Sequence, residues 1–159
     1  AEAERRVQAI ATVHAALSQN VDESVDFDEV ARTIVRMAGA IASTDHGVEV
    51  ITTGTFGTIS ADQAQALATV LNELVANSVE HGLADRDGRI EVCAQRDDLS
   101  MKVTVADDGV GFVPGTPMSG LGTQIVHQMV RGELRGSIEW APREGGGTLV
   151  TLLINLDPA

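Results

Sequence analysis

Lysine is almost missing from this chain, and Lys102 is its only representative. A phosphate-binding loop of the G-x-x-x-x-G-K-[ST] type is therefore excluded. Tyrosine is absent and aromatic residues make up 3%. A core must then be assembled from Val, Ile, Leu and Ala. Cysteine is reduced to Cys93, which lies in the strand-like run Ile90 to Ala94 and reads as a buried side chain. One cysteine rules out a disulfide framework and points to a reducing, cytoplasmic setting. No apolar run approaches the ~18 residues of a membrane span, and no signal peptide is legible, so no membrane contact is expected of this segment. Basic residues are scarce enough to leave a net charge of −12. That balance argues against DNA or RNA as a direct partner, because neutralising phosphates takes Lys and Arg. It still allows a nucleotide, bound through a divalent metal and backbone N–H groups.

What is present suffices for one folded domain: 159 residues, of which 43% are hydrophobic. The chain opens on Ala-Glu-Ala-Glu-Arg-Arg without Met, as expected of a piece of a longer protein. Val7, Ile10, Val13, His14 and Leu17 predict an amphipathic helix over residues 2–19. A polar break over 20–26 precedes a second helix over 27–42, a turn at 45–47 and a strand at 48–52. Residues 54–59 are ambiguous, with a short strand one reading. Ser60-Ala-Asp-Gln63 has the form of a capping box, each end satisfying an N–H of the other. The helix it opens is expected to reach His81 and stop at Gly82. Strands follow at 89–95 and 101–106, joined by a polar turn at Asp97-Asp98. A Gly-rich loop at 107–122, a helix at 123–131 and closing strands at 137–141 and 148–156 complete the pattern. The order predicts an α/β sandwich with helices on one face of a mixed sheet, and an internal boundary near 43–47.

Leu71 to Gly82, L-N-E-L-V-A-N-S-V-E-H-G, combines two demands. Leu67, Val70, Leu71, Leu74 and Val75 recur at helical spacing and call for a core. Glu73, Asn77, Glu80 and His81 recur on another face and call for polar partners. Asp107-Asp-Gly-Val-Gly111 follows a strand, where a carboxylate can accept from an exocyclic amine and the glycines let backbone approach a ligand. Ser119-Gly-Leu-Gly122 opens a helix whose free N–H groups suit phosphate. Gly145-Gly-Gly-Thr148 precedes the last strand. Each alone has an ordinary reading as a turn or linker. Their order and element types together are specific.

At this point residues 48–156 resemble the GHKL, or Bergerat-fold, ATP-binding domains of histidine kinases and gyrase-type topoisomerases. Glu73-x-x-x-Asn77 looks like the N box, Asp107-x-Gly109-x-Gly111 the G1 box, Gly120-Leu121-Gly122 the G2 box, and Gly147-Thr148 the last family patch. N-E-L-V-A-N-S-V-E-H-G and G-L-G-T-Q-I-V are similar to the HWE-like subgroup of bacterial sensor histidine kinases. R-V-Q-A-I-A-T-V-H-A-A-L resembles that subgroup's second dimerisation helix. The resemblance implies residues 1–43 as the end of a dimerisation region with a connecting helix, and 44–159 as the ATP-binding catalytic domain. It implies ATP and Mg²⁺, with Asn77 holding the metal and Glu73 beside it as second ligand or base. Asp107 would take the adenine amine. Gly109 and Gly111 would shape the base edge, and Gly120, Leu121 and Gly122 would meet the phosphates. Thr148 would support Asp107. It further implies a homodimer in the full-length protein, phosphoryl transfer to a histidine outside these residues, and a response regulator as the next acceptor.

Two positions depart from the pattern. Glu80 stands where many relatives have Lys, and the lid, about 110–119, has no Lys or Arg. His81 or Arg86 is the candidate substitute cation. His14 reads as a packing histidine rather than the phospho-acceptor, which the family places upstream. Two other functions share these motifs: an anti-sigma-factor-type serine kinase and a nucleotide-binding module without catalysis.

Overall fold

The structure is a computed structural model that describes Ala11 and residues 24–42, 47–83, 86–111 and 121–158. The helix expected over 2–19 and the lid beyond Gly111 lie outside the described residues, as do His14 and Gly120.

Alternating burial organises a five-stranded mixed sheet. On β4 (Gly88–Asp97) Ile90, Val92 and Ala94 are buried; on β5 (Ser100–Asp107) Met101, Val103 and Val105 are. On β7 (Thr148–Asn155) Val150, Leu152 and Ile154 point the same way. This period of two sends one face of each strand into the core. Cys93, expected inside, is half-buried, because strand alternation puts it on the face opposite Val92. With β2 (Val48–Gly54) and β6 (Ser137–Pro142), the strands run β2-β4-β5-β7-β6. β2 is parallel to β4 and the other pairings are antiparallel.

Three helices cover the inner face. α1 (Phe27–Ala42) buries Phe27, Val30, Ala31, Ile34, Val35 and Ala38, a stripe at helical spacing. Gly39 lets it approach β2 closely: a Cβ there would sit 2.8 Å from a Val50 methyl. α2 (Ala61–Asn77) is buried nearly all round, as befits a helix packed between α1, α3 (Leu121–Arg131) and the sheet. α1 belongs to the same continuous core as the sheet.

The sequence underestimates two segments. Residues 24–26, expected to be part of a polar break, form β1, which pairs antiparallel with β3 (Thr58–Ser60). Val25 and Ile59 face the core from that ribbon, and Phe27 meets Phe56 edge to face with centroids 5.2 Å apart. Asp28 ties the same junction by accepting from the N–H groups of Phe56 (2.8 Å) and Gly57 (3.0 Å). The second segment is the end of α2. The α-helix stops at Asn77, and Ser78–Gly82 continues as a π-helical turn closed by Leu83 N–H donating to Ser78 O at 2.9 Å.

The capping box forms by half. Ser60 Oγ accepts from Gln63 N–H at 3.3 Å. The Gln63 side chain does not reach back; fully buried, it donates to Glu133 O and Asn155 O, both at 2.9 Å, and accepts from Asp157 N–H at 2.8 Å. It thus fastens the start of α2 to the chain after α3 and to the end of β7. Gln63→Leu leaves three backbone groups without partners and is expected to cost about 2–4 kcal/mol. Urea denaturation measures it; a loss below ~1 kcal/mol would show that water replaces the amide.

Candidate functional site

Asp107 ends β5 and is 3% exposed. Its Oδ1 accepts from the N–H of Gly109 at 2.9 Å and of Thr148 at 3.3 Å. The first bond closes a tight turn two residues on, the local habit of Asp before Gly. The second joins the turn to the start of β7. Burial pushes the carboxyl above its ordinary value of 3.8; the bonds from Gly109 and Thr148 and the nearby Ser78 side chain pull it down, and the charge of Asp108 adds to the rise.

Glycines make the convergence possible. Gly147 has φ +101°, and a Cβ there would lie 1.9 Å from the Asp107 carbonyl oxygen. Gly111 has φ +73° and passes close to Gly147, where a Cβ would be 3.1 Å from Gly147 O. Two loops are thereby pressed together at the carboxyl end of β5.

Of the residues expected at the site, Asp107, Gly109, Gly111 and Thr148 come together here. Glu73 and Asn77 lie on α2 one turn apart, Glu73 buried and Asn77 half-buried. Ser78, next after Asn77, is buried at the start of the π-helical turn, which packs against β5. Gly122 is buried in the first turn of α3, which starts at Leu121, two residues before the expected Thr123. His81 and Glu80 are exposed on the π-helical turn. Arg86 is exposed and its guanidinium donates to Asp108 O at 3.4 Å. Among the described residues no three His, Cys, Asp or Glu cluster as a metal cage. A Mg²⁺ site needs none, since that ion commonly takes one or two protein ligands and completes its shell with phosphates and water. Glu73 and Asn77, both oxygen donors, fit that role.

Two family models match the chain. Residues 62–158 match the family model described as histidine kinase-, DNA gyrase B-, and HSP90-like ATPase. Residues 1–41 match one described as histidine kinase. The chain belongs to the family of histidine kinase-, gyrase B- and HSP90-like ATPase domains. Within it, the relatives are sensor histidine kinases. The chain is 38% identical over 158 residues to the sensor histidine kinase PdtaS of Mycobacterium tuberculosis, covering 96% of this chain and 32% of that protein. A blue-light-activated histidine kinase of Rhizobium johnstonii is 28% identical over 139 residues, 86% of this chain and 38% of the relative. The fold matches the histidine kinase domain of the Erythrobacter litoralis EL346 blue-light activated histidine kinase with TM-score 0.79. That match has 23% identity and covers 96% of this chain and 74% of the other. The chain spans about a third of the length of the curated relatives it matches. Among the described residues no helix is long and apolar enough to cross a membrane.

Asp107→Asn separates the demands of folding from those of the site. A folded-state value raised above the unfolded one means that the ionised carboxyl disfavours folding at neutral pH. That cost disappears as pH falls through the raised value. Asn keeps an oxygen acceptor for Gly109 and Thr148 without the charge. The variant is expected to melt no lower than the parent at neutral pH, with any gain shrinking on acidification. Calorimetric melts across pH check this, and a variant several degrees less stable at neutral pH contradicts it. Gly147→Ala is expected to do the reverse, losing ~2–4 kcal/mol from strain at positive φ and the clash with Asp107 O. Denaturant melts of the variant give that number.

Proposed function

We propose that this chain is the ATP-binding catalytic domain of a two-component sensor histidine kinase, with residues 1–43 as the end of its dimerisation region and connecting helix. The observation that carries the reading is the buried Asp107, its Oδ1 held by N–H groups from two loops at the end of a strand that packs against the turn following α2. An acceptor-only group in that position suits the exocyclic amine of adenine. Asn77 would hold Mg²⁺, with Glu73 as second ligand or as base. Gly120, Leu121 and Gly122 would present N–H groups of the α3 N-terminus to the phosphates. Gly109 and Gly111 would shape the base edge, and Thr148 would steady Asp107 through its N–H. Bound Mg²⁺ would supply charge neutralisation for the phosphates, and ATP the γ-phosphoryl group. The residues of this chain would orient the nucleotide and leave its terminal phosphate facing a histidine outside these residues. The phosphoryl group would pass from there to a response-regulator aspartate, within a cytoplasmic homodimer of the full-length protein. His81, exposed beside Glu80, is retained as a contact for the outer phosphates.

Titration with Mg²⁺-ATP tests the site. Asn77→Ala and Asp107→Asn are each expected to weaken binding about 10-fold or more, the scale of one charge-assisted hydrogen bond or metal ligand. Undiminished affinity in both would sink the assignment. Supplying the upstream helix with its acceptor histidine should then give phosphohistidine only when Mg²⁺ is present. Tight nucleotide binding without any phosphohistidine would favour a non-catalytic module.

A further inference from the structure

The motif Asp107-x-Gly109 leaves its middle residue open, and in this chain that residue is Asp108. Asp108 is exposed, yet its N–H, carbonyl and side chain all have partners. β4 and β5 pair as far as Ile90 opposite Asp107. One step further the ladder continues in altered form. Asp108 N–H donates to Arg89 O at 3.3 Å, as in a regular antiparallel pair. Arg89 N–H does not return to the Asp108 carbonyl; it donates to the Asp108 side-chain Oδ1 at 2.9 Å. The carbonyl is thereby released, and the Arg86 guanidinium donates to it at 3.4 Å. A carboxylate closes the ladder while the backbone leaves the sheet. The next N–H is that of Gly109, which reaches Asp107 Oδ1 at 2.9 Å. The segment that receives Asp108 starts where the π-helical turn is closed. Arg86 N–H donates to Leu83 O at 3.0 Å. Gly88 is pressed between the two sides: a Cβ there would lie 2.3 Å from a Leu83 methyl and 2.7 Å from Asp108 Oδ1.

We propose that Asp108 is a positioning residue for base recognition: by replacing its own carbonyl in the ladder to Arg89, its side chain fixes the turn that aims the Asp107 carboxyl at a purine 6-amino group. This rests on the reading of Asp107 as the adenine contact. Asp107 Oδ1 is held from two sides, by Thr148 N–H from β7 and by Gly109 N–H from the turn. The place of the Gly109 N–H depends on where residue 108 leaves the sheet. Without the bond to Arg89 the ladder ends one pair earlier, and the turn loses its fixed start. The bond asks for an acceptor oxygen and not for a charge, so Asn can stand in for Asp108 and Ala cannot.

Titration calorimetry on this chain compares Mg²⁺-ADP with purine riboside diphosphate, which lacks only the 6-amino group. Both ligands carry the same phosphates, so a change of protein charge cancels in their affinity ratio. The parent is expected to prefer ADP. Asp108→Ala is expected to cut that preference about 5-fold, the scale of one hydrogen bond, and Asp108→Asn to keep it within about 2-fold. Hydrogen exchange supplies a readout without nucleotide: the Gly109 amide should exchange faster in Asp108→Ala and at the parent's rate in Asp108→Asn. Equal losses of both nucleotides in Asp108→Ala would make Asp108 a residue of general stability and overturn the proposal. So would a preference lost alike in the Asn and Ala variants, or Gly109 protection unchanged in Asp108→Ala. Asp107→Asn is the reference, since it puts an NH₂ donor in place of one carboxylate oxygen and should erase the preference. A parent without preference fails the base assignment of Asp107 and takes the role of Asp108 with it. A preference erased in Asp107→Asn but kept in Asp108→Ala defeats the Asp108 proposal alone.

Discussion

A single buried carboxyl sets the terms for this fold. Asp107 cannot be taken from water cheaply, so the chain must bring donors to it. Two backbone N–H groups from different loops reach its Oδ1. Bringing them within reach requires Gly147 against the Asp107 backbone and Gly111 against Gly147. The donors do not fully offset the burial, since the carboxyl stays above its ordinary value. On the proposed reading, that deficit would be offset when a donor of the base reaches the carboxyl.

The opposite end of the same scaffold has no such deficit. Gln63 is as buried as Asp107, yet each of its polar atoms has a backbone partner. It anchors α2 to β7 and the segment before β6. β1 and α1 dock beside that anchor through Asp28, Phe27 and Phe56. α2 therefore starts at a fully satisfied polar joint at Gln63, and the turn that follows it packs against β5, which ends at Asp107.

The sandwich, its strands and the main helices were legible because burial follows period 2 or period 3.6 in the residues themselves. Met101, Val103 and Val105 announce β5, and Val30, Ile34 and Ala38 announce α1. Asp107, the glycines and Thr148 were legible as a set because each sits at an element boundary. Three features were hidden. β1 is too short to carry a period, and its pairing with β3 is decided by Val25 and Ile59 meeting the core. Gln63 follows capping grammar, yet its side chain goes to partners that lie far away in sequence. The π-helical turn conserves hydrophobic spacing, since Val79 and Leu83 are four apart, so nothing in the pattern marks a change of pitch.

That change of pitch also recasts the missing cations. A regular helix would align Glu80 and His81 with Asn77 on one stripe. The structure leaves both exposed on the π-helical turn, with Ser78 turned inward instead. Nearby arginines are committed elsewhere: Arg86 to Asp108 O, and Arg89 and Arg143 to Glu91. In a chain of net charge −12, cations that already hold the sheet edge together are poor candidates for phosphate. The proposed division of labour follows: metal on α2 oxygens and N–H groups at the start of α3 meet the phosphates, while Asp107 reads the base. A domain built this way should depend on Mg²⁺ more steeply than one whose lid carries lysine, because no Lys or Arg in residues 110–119 shares the charge.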